Sequence, residues 1–329
     1  MIETPDNSTT PLNSSHTNLL LSVYIITFIT GMPANIIALY TFILKVRNKP
    51  APIDILLLNL TVSDLIFLVF LPFRMIEATF GMRWVLPYFL CPLSGFVFYS
   101  TIYISTCFLT AVSVERYLGV AYPIKYKLRR KPIYAIVASV FFWIVSSANC
   151  SIVYIMQYHE SDNFTVDTRF CYEKFNAEQL KILLPVRLEL FLILFCIPFL
   201  ITMYSYINCI RILNSLPNIS RRRKQRANGL ALGTLLVFIL CFGPYNISHV
   251  VGFVEGQSPT WRVDALLLST FNACLDPIIF YFSSTAVQKV FGQCFKGIFD
   301  KVCKVTSCSR FMSHTSSSME RTDSSSNTL

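Results

Sequence analysis

Between Cys91 and Val114 the chain runs for 24 residues without a charged side chain. At about 1.5 Å of rise per residue, a helix of that length crosses the roughly 30 Å hydrocarbon core of a bilayer with some tilt. Its ends differ chemically. A cysteine opens the run, and Glu115-Arg116-Tyr117 with a basic loop behind it closes it. A helix marked in this way is suited to joining an outer site to an inner one.

Six other charge-poor runs accompany it: Thr17 to Leu44, Ile53 to Phe73, Ile133 to Met156, Leu180 to Ile210, Ala227 to Val254 and Trp261 to Phe282. The spacing predicts seven transmembrane helices. A chain of 329 residues that is 53% hydrophobic and only 14% charged is too apolar for a soluble domain of this size, which makes it a polytopic membrane protein. Met1 to Leu20 lacks the Lys or Arg that opens a cleavable signal peptide, so the first span is expected to stay as an anchor. Pro33, Pro198, Pro244 and Pro277 are expected kinks, with neighbouring helices or waters satisfying the freed carbonyls. No internal repeat of the transporter kind is visible.

Charge sets the orientation. Of 28 Lys and Arg residues, seven (Arg74, Arg83, Arg169, Lys174, Lys181, Arg187, Arg262) fall on the side of the N-terminus and 21 on the other. Positive charge collects on cytoplasmic loops, so the N-terminus is expected outside and the C-terminus inside, in the plasma membrane. The basic runs are read as topology signals and contacts to anionic membrane lipid, not as a nucleic-acid surface. Asn7, Asn13 and Asn163 are glycosylation sequons on the expected outer side. Of 11 cysteines only Cys91 and Cys171 face that oxidising side, so a Cys91–Cys171 bridge is expected to pin the loop between them over the bundle.

Asp64 stands in the middle of the second span, where an acid is costly; it is a functional group or an aspartate neutralised inside the bundle. The whole set of landmarks supplies context: Asn35, Asp64, Cys91, Glu115-Arg116-Tyr117, Trp143, Cys171, Pro198, Cys241-Phe242-Gly243-Pro244 and Asp276-Pro277-Ile278-Ile279-Phe280. One group per helix or loop, in this order, resembles the rhodopsin-like G-protein-coupled receptors from about Val23 to Phe299. Phe70-Leu71-Pro72-Phe73-Arg74-Met75, Leu184-Pro185-Val186-Arg187-Leu188-Glu189 and Cys241 through His249 are similar to the free fatty acid receptor branch. Glu115 to Ala121 with Tyr126-Lys127-Leu128 looks most like its type-2 subfamily, and Met75 with Cys91 to Phe96 like the type-3 subfamily close behind. Glu115 stands for the usual Asp of D-R-Y, Asp276 and Phe280 for the Asn and Tyr of N-P-x-x-Y, and Phe242 for a common Trp. Asn149 stands where the short-chain branch carries a histidine.

The implied fold is an all-α membrane protein, a seven-transmembrane bundle with an amphipathic C-terminal helix. Residues 1–16 form an extracellular tail, 17–283 the receptor domain, 284–300 the amphipathic helix on the inner leaflet and 301–329 a disordered cytoplasmic tail. Cys294, Cys303 and Cys308 are juxtamembrane and open to palmitoylation.

Arg187 and Arg262 lie near the outer ends of helices five and seven. Either could snorkel to water. At similar depth on separate helices, both could instead meet one anion, since guanidinium forks match a carboxylate bidentately. Tyr245 and His249, four apart, share a face of helix six beyond Pro244. The residues alone indicate an anionic ligand. The resemblance implies short-chain fatty acids (acetate, propionate, butyrate), with Arg187 and Arg262 as anchors and Tyr245 and His249 as helpers. Glu173 is either a ligand-free partner for an arginine or a solvated loop charge, and Tyr99 either a pocket wall or ordinary packing.

At the inner end, Glu115 and Arg116 are expected to pair in the closed bundle, with Tyr117 completing the switch toward a heterotrimeric G protein, Gi/o and Gq/11 by resemblance. Asp64, Ser105, Asn272 and Asp276 match a sodium pocket, where Na⁺ is expected to favour the inactive state. No cofactor is expected. Phosphorylation of the Ser- and Thr-rich tail is a candidate arrestin signal. No catalytic motif or metal-spaced cluster appears, so an enzyme is not expected. The absence of Lys between Trp261 and Phe282 excludes a retinal Schiff base. The alternatives are a receptor for another small or longer-chain carboxylate, or a carboxylate transporter.

Overall fold

Seven helices long and apolar enough to cross a membrane are present among the described residues of the computed structural model, and no strand. The structure describes residues 14–129, 131–158, 171–172, 175–216, 220–293 and 296–297. Glu173, the sequons Asn7, Asn13 and Asn163, the cysteines 294, 303 and 308, and the tail from 301 lie outside them. The spans are α1 (Ser15–Asn48), α2 (Pro52–Thr79), α3 (Leu90–Ala121), α4 (Pro132–Tyr158), α5 (Ala177–Ser215), α6 (Lys224–Glu255) and α7 (Arg262–Ser283). They overrun the expected boundaries at most ends, because an apolar count stops at the first charge whereas a helix continues into the polar interface.

α3 is the centre of the bundle, packing on α2, α4 and α5 and burying Tyr103 and Phe108 completely. Outward side chains such as Ile29, Tyr134, Leu200 and Leu240 are more than half exposed. An apolar belt of that extent belongs against lipid. Polar contacts then fix register inside it: Trp143 Nε1 on α4 donates to Asn59 Oδ1 on α2 at 3.1 Å.

Three of the four expected prolines coincide with departures from α geometry. Proline lacks an N–H, and its ring displaces the carbonyl four residues earlier. Before Pro198 and Pro244 the backbone widens into π turns at Leu190–Cys196 and Val237–Phe242. Pro277 follows a break in α7 at residues 270–271, whereas Pro33 lies in an unbroken helix. The loosened carbonyls have donors on neighbouring helices. Thr106 Oγ1 donates to Leu194 O at 3.0 Å, Ser269 Oγ to Cys241 O at 2.9 Å and Asn35 Nδ2 to Ala273 O at 2.8 Å. α6 ends where Gly256 turns left-handed at φ 69°.

The described residues from Ser284 onward belong to a separate unit, in which residues 285–293 are helical and Ser284 Oγ accepts from Val287 N at 3.5 Å.

Candidate functional site

The outer site begins with how α5 starts. Asn176 and Gln179 cap one another reciprocally, and Gln179 Nε2 also donates to Met156 O at the end of α4, 3.0 Å away. This holds Phe175 at the mouth and sends Arg187 inward three turns later. Arg187 is only 3% exposed, so it does not snorkel. Its Nη1 donates to Ser258 Oγ at 2.8 Å, and its guanidinium lies 5.2 Å from the Phe175 ring and 6.0 Å from Tyr172.

Arg262, at the first turn of α7, is 7% exposed. Its Nη2 donates to Tyr245 OH at 3.3 Å, and its guanidinium sits 5.4 Å from Tyr245 and 5.5 Å from Tyr99. Those two rings stack at 5.9 Å. Tyr99 also meets Tyr172 at 5.4 Å, so an aromatic wall links the two arginines. His249 packs against Tyr245 at 4.6 Å, and its Nε2 meets Tyr103 OH at 3.1 Å. Arg187, Arg262, Tyr245, His249 and Tyr99 thus come together in one buried cluster.

Within it, Arg187 Nη2, Arg262 Nε and His249 Nδ1 have no hydrogen-bond partner although all are buried. An unpartnered buried guanidinium N–H is costly, and an anion would relieve those of Arg187 and Arg262. A cavity of ≈ 40 Å³ borders Arg262, Tyr99, Tyr172 and Arg74. Two larger cavities among the described residues lie at the other end of the bundle.

Cys91 and Cys171 are bridged, with Cα atoms 5.6 Å apart, and pack on Trp84. The bridge places Tyr172, whose φ of 57° is rare for a bulky residue. Burial pushes the Tyr172 phenol above its usual pKa, against the pull of Arg187 and Arg262, so the ring stays neutral. Sequence reasoning missed Tyr172, Tyr103, Phe175 and Ser258. Adjacency to Cys171 was the one available signal for Tyr172.

At the inner end the expected Glu115–Arg116 pair is corrected. Among the described residues Glu115 accepts from Tyr126 OH of the short helix Pro123–Arg129, and Arg116 Nη2 donates to Ser283 O at 2.6 Å. Adjacent helical side chains diverge by about 100°, so each finds a different neighbour. A cavity of ≈ 530 Å³ opens beside Arg116, Tyr206, Arg226 and Phe282. Tyr117 instead packs edge-on against Tyr204 of α5 at 5.9 Å.

In mid-bundle, Asn272 Nδ2 donates to Ser105 Oγ at 3.4 Å, and Asp64 and Asp276 are both essentially inaccessible. Asp64 Oδ2 and both carboxyl oxygens of Asp276 lack a hydrogen-bond donor. Two carboxylates with orphaned acceptors fit a small hard cation, with Ser105 and Asn272 as further oxygen-bearing side chains. Asp64 and Asp276 would supply its charge and Ser105 and Asn272 its neutral ligands.

Comparison with known proteins agrees with this architecture. Residues 34–280 match the model of the 7 transmembrane receptor (rhodopsin family). Free fatty acid receptor 3 of Mus musculus is 52% identical over 84% of this chain and 86% of its own length. Free fatty acid receptor 2 of Mus musculus is 50% identical over 84% and 85%. Free fatty acid receptor 1 of Macaca fascicularis is 31% identical over 79% and 90%. The expected likeness to the type-2 and type-3 receptors is borne out, as is the reading as a receptor and not an enzyme. With seven spans in the expected order and this similarity along most of its length, the chain belongs to the free fatty acid receptor group of the rhodopsin family of G-protein-coupled receptors, multi-pass proteins of the plasma membrane.

Proposed function

We propose that this receptor senses short-chain fatty acids such as acetate, propionate and butyrate at its extracellular end and activates Gi/o and Gq/11 heterotrimers at its cytoplasmic end. The N-terminus lies outside and the C-terminus inside, a reading supported by the excess of Lys and Arg on the C-terminal side. One observation carries the ligand assignment: Arg187 and Arg262 each hold an unpartnered buried donor within a single aromatic cluster, with the unpartnered Nδ1 of His249 beside them. A carboxylate has the charge and acceptor geometry to take these donors, and guanidinium groups bind it as a fork.

The names of the relatives support a fatty acid as the source of that carboxylate. Agonist capture neutralises two like charges on different helices, α5 and α7. That drives their outer ends together and shifts a two-state bundle toward the form that frees Arg116 from Ser283 for a G protein. Na⁺ at Asp64, Ser105, Asn272 and Asp276 holds the opposite state. Phosphorylation of the tail then supplies charge for arrestin, and membrane lipid contacts the basic inner loops.

G-protein activation by C2 to C6 and long-chain carboxylates, compared between parent, Arg187→Ala and Arg262→Ala at matched surface expression, tests the assignment. Short acids are expected to act on the parent and to lose potency in both variants. Unchanged potency, or uptake of labelled acetate without G-protein activation, overturns it.

A further inference from the structure

Outside the bundle, a second cleft of ≈ 480 Å³ lies where the ends of α2, α3 and α4 meet the short helix Pro123–Arg129. Its floor is apolar: Leu118, Tyr122 and Tyr134. Lys125 and Lys131 stand at its edge, and neither has an ion-pair partner among the described residues. At its depth lies Glu115, whose carboxylate already accepts from Tyr126 OH. Around the cleft, Ile124 is 76% exposed, Leu128 80% and Tyr134 65%. Apolar side chains that exposed are at home in acyl chains, and two lysines beside them sit at headgroup depth.

We propose that this cleft is a binding site for one phospholipid with an acidic headgroup, drawn from the leaflet that faces Lys125 and Lys131. The headgroup phosphate lies between the two lysines. One acyl chain runs along Leu118, Tyr122 and Tyr134, a surface the first turn of α4 leaves uncovered. The charge balance argues for an anionic lipid over a zwitterionic one: among the described lining residues two cations, Lys125 and Lys131, outnumber one acid, Glu115, whose carboxylate is turned to Tyr126. Because the lipid would rest on the helix that carries Tyr126, its presence steadies the Tyr126–Glu115 contact and so the position of Arg116 one residue on. The assignment of this leaflet as the cytoplasmic one rests on the orientation under Proposed function.

Native mass spectrometry of the purified full chain, taken without agonist from nanodiscs of phosphatidylcholine doped with phosphatidylserine, reads the site directly. A lysine near a charged membrane surface contributes about fivefold (~1 kcal/mol). Lys125→Gln/Lys131→Gln is therefore expected to lower retained phosphatidylserine about 30-fold. Arg221→Gln/Arg222→Gln, which neutralises two exposed arginines elsewhere on the same side, is expected to leave it unchanged. Leu118→Trp fills the cleft while keeping both lysines, and is expected to lower retention as well. Equal loss in the arginine variant would mean diffuse surface charge, and undiminished retention in the lysine variant would mean no site; either overturns the proposal. So would displacement of the lipid by free oleate at equal concentration, which would identify a fatty acid as the occupant. Lipid retention is scored without carboxylate or G protein, so a receptor that ignored acetate would fail the functional reading and leave this one standing. Accessibility of a C-terminal tag in sealed vesicles reports the leaflet independently.

Discussion

If one carboxylate quiets both guanidinium groups, the effects of removing them cannot be independent. Arg187→Ala and Arg262→Ala should each remove a charge-assisted hydrogen bond to the ligand, about 1.5–3 kcal/mol or roughly 10- to 150-fold in potency. Part of each loss belongs to the empty receptor. Arg187 also orders Ser258 and lies over Phe175, while Arg262 bridges Tyr245 and Tyr99. Those contacts affect expression, so surface levels must be matched before potencies are compared. In the double variant, the first substitution has already destroyed the two-sided grip that the second would weaken. The combined loss should fall short of the product of the single losses by a coupling of about 0.5–3 kcal/mol. The assay is G-protein activation by propionate across all four receptors, with a non-carboxylate agonist as control. Full additivity, or single losses under about threefold, would refute the shared-carboxylate geometry.

Four other outcomes follow from the same structure. Asp64→Asn should abolish the dependence of agonist potency on Na⁺, measured by replacing Na⁺ with a bulky organic cation; an identical Na⁺ response in parent and variant would remove the cation from this site. Cys91→Ser/Cys171→Ser should cost about 2–4 kcal/mol of stability, read as a lower thermal midpoint, and should weaken agonist potency because Tyr172 loses its mooring. Thr106→Val removes the donor to Leu194 O and leaves that carbonyl buried, about 1–3 kcal/mol of destabilisation in a thermal-shift assay, with Thr106→Ser retaining most of it. Tyr126→Phe frees Glu115 and should raise ligand-independent nucleotide exchange; unaltered basal exchange would show that the contact does not restrain the inner end.

How much of this was legible in the residues depends on range. Seven spans could be read because a charge-poor, apolar run of 20 or more residues has few fates other than a membrane helix. Arg187, Arg262, Tyr245 and His249 could be nominated because helical spacing and the outer end of each span are local facts. Their company could not. Tyr103 reaches His249 across the bundle, and Ser258 reaches Arg187 from a loop 71 positions away. Such pairings are decided by helix packing, which no local pattern encodes. The Glu115–Arg116 expectation failed for a related reason. Neighbours in sequence were taken as neighbours in space, whereas a helix turns them apart and offers Tyr126 to one and Ser283 to the other.

The three side chains that reach loosened carbonyls near Pro198, Pro244 and Pro277 tie helices together in pairs: five to three, six to seven, and seven to one. Each tie sets a carbonyl loosened near a proline against a side chain of a neighbouring helix. A shift in the outer half of one tied helix therefore pulls on its neighbour at that carbonyl as well as through side-chain packing.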